Sequence, residues 1–207
     1  MRETVHWPLP LDRCTKRSGG IDEAGELERL TGMNAIWGKA LDYDGGEYGQ
    51  LILCSMPIRA NAVYRLPGSE GREPRIVFTG EVRVNRDLPA LIFASTHLEH
   101  QLATDRLAQA RALADHLDVT SRGPSIVAGD MNAEPESDVM LRLLQDWRDA
   151  TGPAARTYPA TRPTKKIDWI LLPRMGNWRV VKAKVINEPA ASDHRPVVVD
   201  VEWMGTR

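Results

Sequence analysis

The stretch Ser192-Asp193-His194-Arg195-Pro196-Val197-Val198-Val199-Asp200-Val201-Glu202-Trp203 sets an acid and a histidine immediately before a hydrophobic strand pattern. An acid beside an imidazole at a strand mouth suggests hydrolytic chemistry, although such a pair standing alone is more often an ordinary polar turn. The arrangement recurs. Ser95-Thr96-His97-Leu98 follows the run Leu91-Ile92-Phe93-Ala94, and Gly129-Asp130-Met131-Asn132 follows Ser125-Ile126-Val127-Ala128. Asp168 interrupts Ile167-Asp168-Trp169-Ile170-Leu171. Four polar clusters placed alike on strand-like runs point to one site assembled from strand ends.

Between these clusters the chain alternates strand and helix signals. Asp22 to Leu30 has apolar residues at Ala24, Leu27 and Leu30 with Gly32 as a stop, which predicts a short amphipathic helix. Short β-branched or aromatic runs predict strands over 35–41, 50–54, 61–66, 75–84, 89–95, 125–128, 167–172, 178–186 and 197–203. Helical spacing returns over Thr104 to Leu117, with Thr104 as the expected N-cap, and over Ser137 to Trp147. Strand blocks with a few interspersed helices predict an α/β protein of two packed sheets with helices outside.

In this order and with these flanks the clusters resemble the endonuclease/exonuclease/phosphatase superfamily, the deoxyribonuclease-I-like metal-dependent phosphodiesterases. The matching motifs are Gly45 to Ile58 (GGEYGQLILCSMPI), Ser95 to Glu99 (STHLE), Gly129 to Pro135 (GDMNAEP), Lys165 to Pro173 (KKIDWILLP) and Ser192 to Trp203. The resemblance covers the chain from about Asp12 to Trp203. It implies a single domain over residues 1–207 with a four-layer α/β sandwich fold, two packed mixed β-sheets flanked by helices, and an active site at one end of the sheets. One departure stands out. Family members begin with a strand carrying an Asn, a helix, and a second strand ending in Gln-Glu, whose Glu is a principal metal ligand. Aligning Asp12 to Gly20 with the family segment just after that pair puts Leu9 and Pro10 in the pair's place, and Pro10 cannot bind a metal. The chain is therefore expected to be an N-terminally truncated member, with Met1 to Leu11 an irregular lead-in or edge segment.

The resemblance also implies site roles. Hydrolysing a phosphodiester needs a Lewis acid, an oriented water and help for the leaving oxygen, and carboxylates with an amide suit Mg²⁺ or Mn²⁺. Asp130 and Asn132 alternate by two, so both can face one cavity. By resemblance Asp130 orients or deprotonates the attacking water and Asn132 donates to a phosphate oxygen. His194 acts at the phosphoryl group, with Asp168 holding its ring; an Asp inside an apolar strand needs a partner in any case, and Lys165, Lys166 or a backbone amide are the plainer ones. Asp193 joins Asp130 at the metal, its plainer role being a turn acid. His97 is by resemblance the second active-site histidine, near the leaving group. Tyr48 and Gly49 belong to the active-site wall, and Arg106 and Gln109 lie on a helix face behind His97. Arg162 and Lys166, with Arg156 and Lys165, form a basic set that either contacts substrate phosphate or nucleic acid or is a solvated loop. His6, His100 and His116 carry no contextual signal.

Composition narrows the partners. A formal net charge of −1 over 207 residues gives no bulk attraction to a polyanion, so nucleic acid stays open as a partner only through a local basic patch. Cys14 and Cys54 are too few for a disulfide framework. No apolar run approaches the roughly 20 residues a membrane span needs. The chain as given reads as soluble, its compartment open because an export signal could be lost with a missing start. The expected activity is a metal-dependent phosphoesterase acting on a phosphoester substrate, either a nuclease or a phosphodiesterase for small molecules or lipid head groups. The alternative is a catalytically impaired binding or assembly protein, since the metal-ligand Glu has no counterpart. A missing first strand and helix leaves apolar surface to cover, so a homodimer or larger assembly is expected, or else a local patch by Val5, Trp7, Leu9 and Leu11.

Overall fold

A computed structural model describes residues 5–6, 10–83, 90–117, 125–174 and 177–204. Its elements in chain order are β1 (Val5–His6), β2 (Leu11–Arg13), α1 (Glu23–Thr31), β3 (Asn34–Tyr43), β4 (Gly46–Cys54), β5 (Ile58–Arg65), β6 (Ile76–Val82), β7 (Leu91–His97), α2 (Ala103–His116), β8 (Ser125–Asp130), α3 (Asp138–Asp146), β9 (Trp147–Asp149), β10 (Asp168–Pro173), β11 (Trp178–Val185) and β12 (Val197–Trp203). The expected strand ends at Val84 and Pro89 and the expected patch residues Trp7 and Leu9 lie outside the described residues.

Four layers result. In the first sheet β4 pairs with β3 along one edge and with both β1 and β2 along the other, so the described parts of the N-terminal segment lie at that sheet edge. Helix α1 covers the outer face, packing Ala24 and Leu27 on Leu51, Leu53 and Trp37. The second sheet has the order β5-β6-β7-β8-β10-β9. Between the sheets lies a core that includes Ile52, Ile76, Phe78, Phe93, Ile126 and Leu172, onto which the separate β11–β12 hairpin places Trp178, Val180, Val199 and Trp203. On the far face α2 and α3 pack Leu113, Ala114, Met140 and Leu143 over Val77, Ala94, Val127 and Leu171. Phe78 and Leu143 are fully enclosed, and burial of each contributes roughly 1.5–3 kcal/mol. No helix among the described residues is long and apolar enough to cross a membrane.

Local chemistry explains the helix ends. Asp22 caps α1 by accepting from the Gly25 N–H at 3.1 Å, and Gly32 closes it at φ 67°. Ser137 caps α3 through the Met140 N–H. Two expectations need correction. Thr104 is not the N-cap of α2, because the helix begins at Ala103 and is fastened instead by Asp105, which accepts from the Ser69 N–H at 2.8 Å and hydroxyl at 2.9 Å. Trp147 does not end α3 but opens β9, where pairing with Pro173 carries its ring into the core and its indole N–H reaches the Ser125 carbonyl at 2.9 Å.

Candidate active site

Strand register sets the site. β7 and β8 are parallel and finish together, so His97 lies opposite Asp130; β10 runs antiparallel to β8, so its first residue, Asp168, lies opposite Asp130 on the other side. A histidine and two carboxylates thus form one row across three adjacent strands. Gly129 makes the close pairing possible: at φ 153° it brings β8 so near β7 that a Cβ there would lie 1.9 Å from the Thr96 carbonyl oxygen. Gly49 plays the same part in the first sheet, a Cβ there lying 2.2 Å from the Gly38 oxygen, and sets the neighbouring Tyr48 on the cleft wall. The loop before β12 delivers His194 to the row. Its Nδ1 lies 2.8 Å from Asp168 Oδ2 and its Nε2 4.0 Å from Asp130 Oδ2. His97, Asp130 and His194 line a cleft of about 760 Å³, and Asp168 backs it through its bond to His194 Nδ1.

The electrostatics divide the residues into distinct chemical characters. Burial and the neighbouring Asp168 push the Asp130 carboxyl up to about 7, with the Asn132 N–H at 2.7 Å from Oδ1 pulling the other way. Burial disfavours a charged His194, but its bond to Asp168 and the charges of Asp168, Asp130 and Asp193 outweigh that and raise its pKa. Asp168 also accepts from the Thr157 hydroxyl at 2.5 Å, and the Tyr158 ring packs 4.8 Å from the His194 ring centre. His97 is the opposite case. Its burial, then the nearby charge of Arg75, hold it well below the usual histidine range, so it is neutral at pH 7. Arg75 Nη1 stands 2.9 Å from its Nδ1, the Tyr48 hydroxyl 3.5 Å from the same nitrogen, and its Nε2 faces Asp130 Oδ2 at 3.6 Å. Burial pushes the Tyr48 phenol up to about 12, which keeps its proton in place.

The structure brings together His97, Asp130, Asn132, Asp168, Asp193, His194 and Tyr48, and leaves two expected residues aside. Asn132, at φ 47°, commits one amide hydrogen to the Leu98 carbonyl at 3.0 Å and retains the other. Asp193 sits exposed on the cleft rim. Lys166 does not line the cleft: its ammonium is buried against Asp149 at 3.2 Å, the Thr151 hydroxyl, the Gly152 carbonyl and the Trp169 ring. Its neighbour Lys165 is the lysine that lines it, because successive residues on an extended approach point to opposite sides. Arg162 is exposed on the preceding turn and is not part of the lining. Pro10, at the position expected to lack the metal ligand, is on the cleft wall. Sequence reasoning missed Arg75 and His100, and had Tyr158 only as a residue interleaved in the basic set before Asp168.

The donor chemistry fits a divalent cation. Ligand atoms of Asp130, Asp168 and His194 lie within 4.8 Å of one another. Two carboxylates and an imidazole make an oxygen-rich donor set of the kind a hard divalent cation takes.

Residues 4–194 match the family model described as Endonuclease/Exonuclease/phosphatase family. Among curated proteins none matches the chain. Solved structures share the fold. A mannosyl-6-phosphatase from Bacteroides thetaiotaomicron VPI-5482 superposes with a TM-score of 0.74 at 18% identity, over 87% of this chain and 81% of that one. The human nocturnin catalytic domain with bound sulfate gives 0.71 at 20% identity, over 87% and 75%. Truncated TDP2 from Caenorhabditis elegans gives 0.64 at 17% identity, over 91% and 82%. The motifs at the strand ends, the four-layer fold and the match over residues 4–194 lead to one conclusion: the chain belongs to the endonuclease/exonuclease/phosphatase family.

Proposed function

We propose that the chain hydrolyses phosphoester bonds in this cleft with the help of Mg²⁺ or Mn²⁺. The observation that carries the reading is the meeting of an Asp-oriented imidazole, a second neutral imidazole and a crowded carboxylate pair at three strand ends and one loop. Asp130 would hold the cation with Asp193 from the rim, and Asp168, bonded to His194 Nδ1, would add its negative charge beside them. A divalent cation held there would supply Lewis-acid chemistry at a phosphoryl oxygen. Asp130 orients the attacking water and takes its proton. His194, with Nδ1–H fixed on Asp168, handles a proton at Nε2. The remaining Asn132 N–H and the His97 Nε2–H donate to phosphoryl oxygens, which grow more negative as the bond breaks.

The cleft lining favours a small phosphoester over a nucleic acid strand. Arg106 lines the cleft but spends its guanidinium on the carbonyls of Glu99, His100 and Asn132, and Lys166 faces elsewhere, so Lys165 is the cation left to meet a phosphate among the described lining residues. A nucleic acid track needs several such contacts. Tyr48, Tyr158 and Pro10 offer walls for the rest of a small molecule. The structural neighbour described as a mannosyl-6-phosphatase supports the same class. A panel of p-nitrophenyl phosphate, bis(p-nitrophenyl) phosphate and duplex DNA in Mn²⁺ buffer tests the choice. Cleavage of the small esters with DNA intact is expected; DNA cleaved faster than either, with salt-sensitive binding, overturns it.

A further inference from the structure

We propose that Arg75 builds an anion subsite on the cleft wall by holding His97 and His100 as a pair of neutral N–H donors aimed at the oxygens of a phosphoryl group. The inference rests on the cleft being the phosphoester site and assigns part of it to Arg75 and His100, which lie outside the catalytic row.

The inventory of donors and acceptors fixes where the ring protons sit. A guanidinium only donates, and a neutral imidazole carries its proton on one nitrogen and accepts at the other. Arg75 Nη1 lies 2.9 Å from His97 Nδ1 and Nη2 lies 3.1 Å from His100 Nδ1. Both Nδ1 atoms must therefore be bare acceptors, which puts both ring protons on Nε2. The fork is firmly seated: the Arg75 side chain is 3% exposed, Glu73 balances its charge at 2.9 Å, and the Arg75 carbonyl accepts from the Leu66 N–H. Glu99, the competing acceptor for an Nδ1 proton on His100, is farther away at 3.8 Å and is engaged by the Gln101 N–H at 2.8 Å. Both rings line the same cleft. His97 turns Nε2 toward Asp130, and the half-exposed His100 keeps its Nε2 on the side away from the fork. With its proton on Nε2, His97 is a donor and neither a metal ligand nor a base at that atom. His100 becomes a second donor beside it, and two adjacent neutral donors suit two oxygens of one tetrahedral phosphoryl group. A lysine at residue 75 carries the charge but not the planar fork that serves two rings at once.

Histidine-selective ¹⁵N NMR on the full chain in Mg²⁺ buffer, with inorganic phosphate as the probe, tests this without requiring turnover. The expected result is unprotonated Nδ1 and protonated Nε2 for both His97 and His100, with phosphate moving both Nε2 signals. His100→Phe should weaken phosphate binding about fivefold, the loss of one hydrogen bond. Arg75→Lys should release at least one ring from the Nε2–H form while the rest of the spectrum stays folded. A proton on Nδ1 of either ring in the unmutated protein overturns the subsite, as does phosphate binding that leaves His100 unmoved. Because hydrolysis is not the readout, a chain that proves inactive on every ester can still show the subsite, and an active one can lack it.

Discussion

Burial, and then the neighbouring Asp168, raise the Asp130 carboxyl from 3.8 to about 7. The folded protein thus holds this proton more tightly than the unfolded chain does. Its stabilising contribution is complete below about pH 4 and is lost as pH rises through the folded value. In chelator, the melting temperature should therefore fall between those limits more steeply for the unmutated protein than for Asp130→Asn, and Mg²⁺ should restore it above pH 7. Identical pH profiles for the two proteins contradict the assignment. His194→Ala or Asp130→Ala should lower turnover roughly a hundredfold or more, since each removes proton handling or charge stabilisation made in the transition state. The convergence of His97, Asp130, Asn132, Asp168 and His194 was expected because each lies in a polar cluster at or near an end of an apolar strand run, in a motif that resembles the family's. Arg75 and His100 were not, since a fork joining rings 22 and 25 positions away leaves no local pattern. Lys166 shows the other limit. One step along an extended chain exchanges buried for cleft-facing, and composition alone cannot choose between adjacent lysines.

The row of site residues depends on how closely β7 and β8 approach. Gly129→Ala places a methyl group 1.9 Å from the Thr96 carbonyl, so the strands must part, and a loss of about 3 kcal/mol is expected by denaturant titration. Activity should fall with it, because His97 and Asp130 are paired across that same ladder. An alanine variant as stable as the parent contradicts the close-approach account. Helices α1 and α3 were legible to within a residue or two because Asp22, Gly32 and Ser137 are strong end signals. The start of α2 was misplaced because its fastening comes from Ser69, distant in sequence. β9 was missed because Trp147 follows the helical spacing of α3, and only its pairing with Pro173 turns it into a strand.

The four layers place the two ends of the chain at different parts of one structure. β1 and β2 edge the first sheet, while β11 and β12 form a hairpin that pairs with no third strand among the described residues. Val181, Val198 and Val201 of that hairpin are exposed at 58%, 47% and 37%. Unpaired edges bearing valine favour association, so light scattering at micromolar concentration should give a dimer or larger assembly of the 23.1 kDa chain. A monomer that is well folded at that concentration overturns the expectation. The layered fold itself was legible from the order of strand and helix signals, whereas sheet membership was not, because β11–β12 and the central strands have similar apolar runs. The claim on which the functional account depends is that the cleft hydrolyses phosphoesters with a divalent cation. The direct measurement is p-nitrophenolate release from bis(p-nitrophenyl) phosphate by the purified full chain, in Mn²⁺, after chelation and after Mn²⁺ is restored, beside His194→Ala. Release that stops with chelator, returns with the cation and falls at least about a hundredfold in the variant is the predicted result. Release unaffected by both chelator and His194→Ala, or none from folded protein supplied with Mn²⁺ or Mg²⁺, contradicts the account.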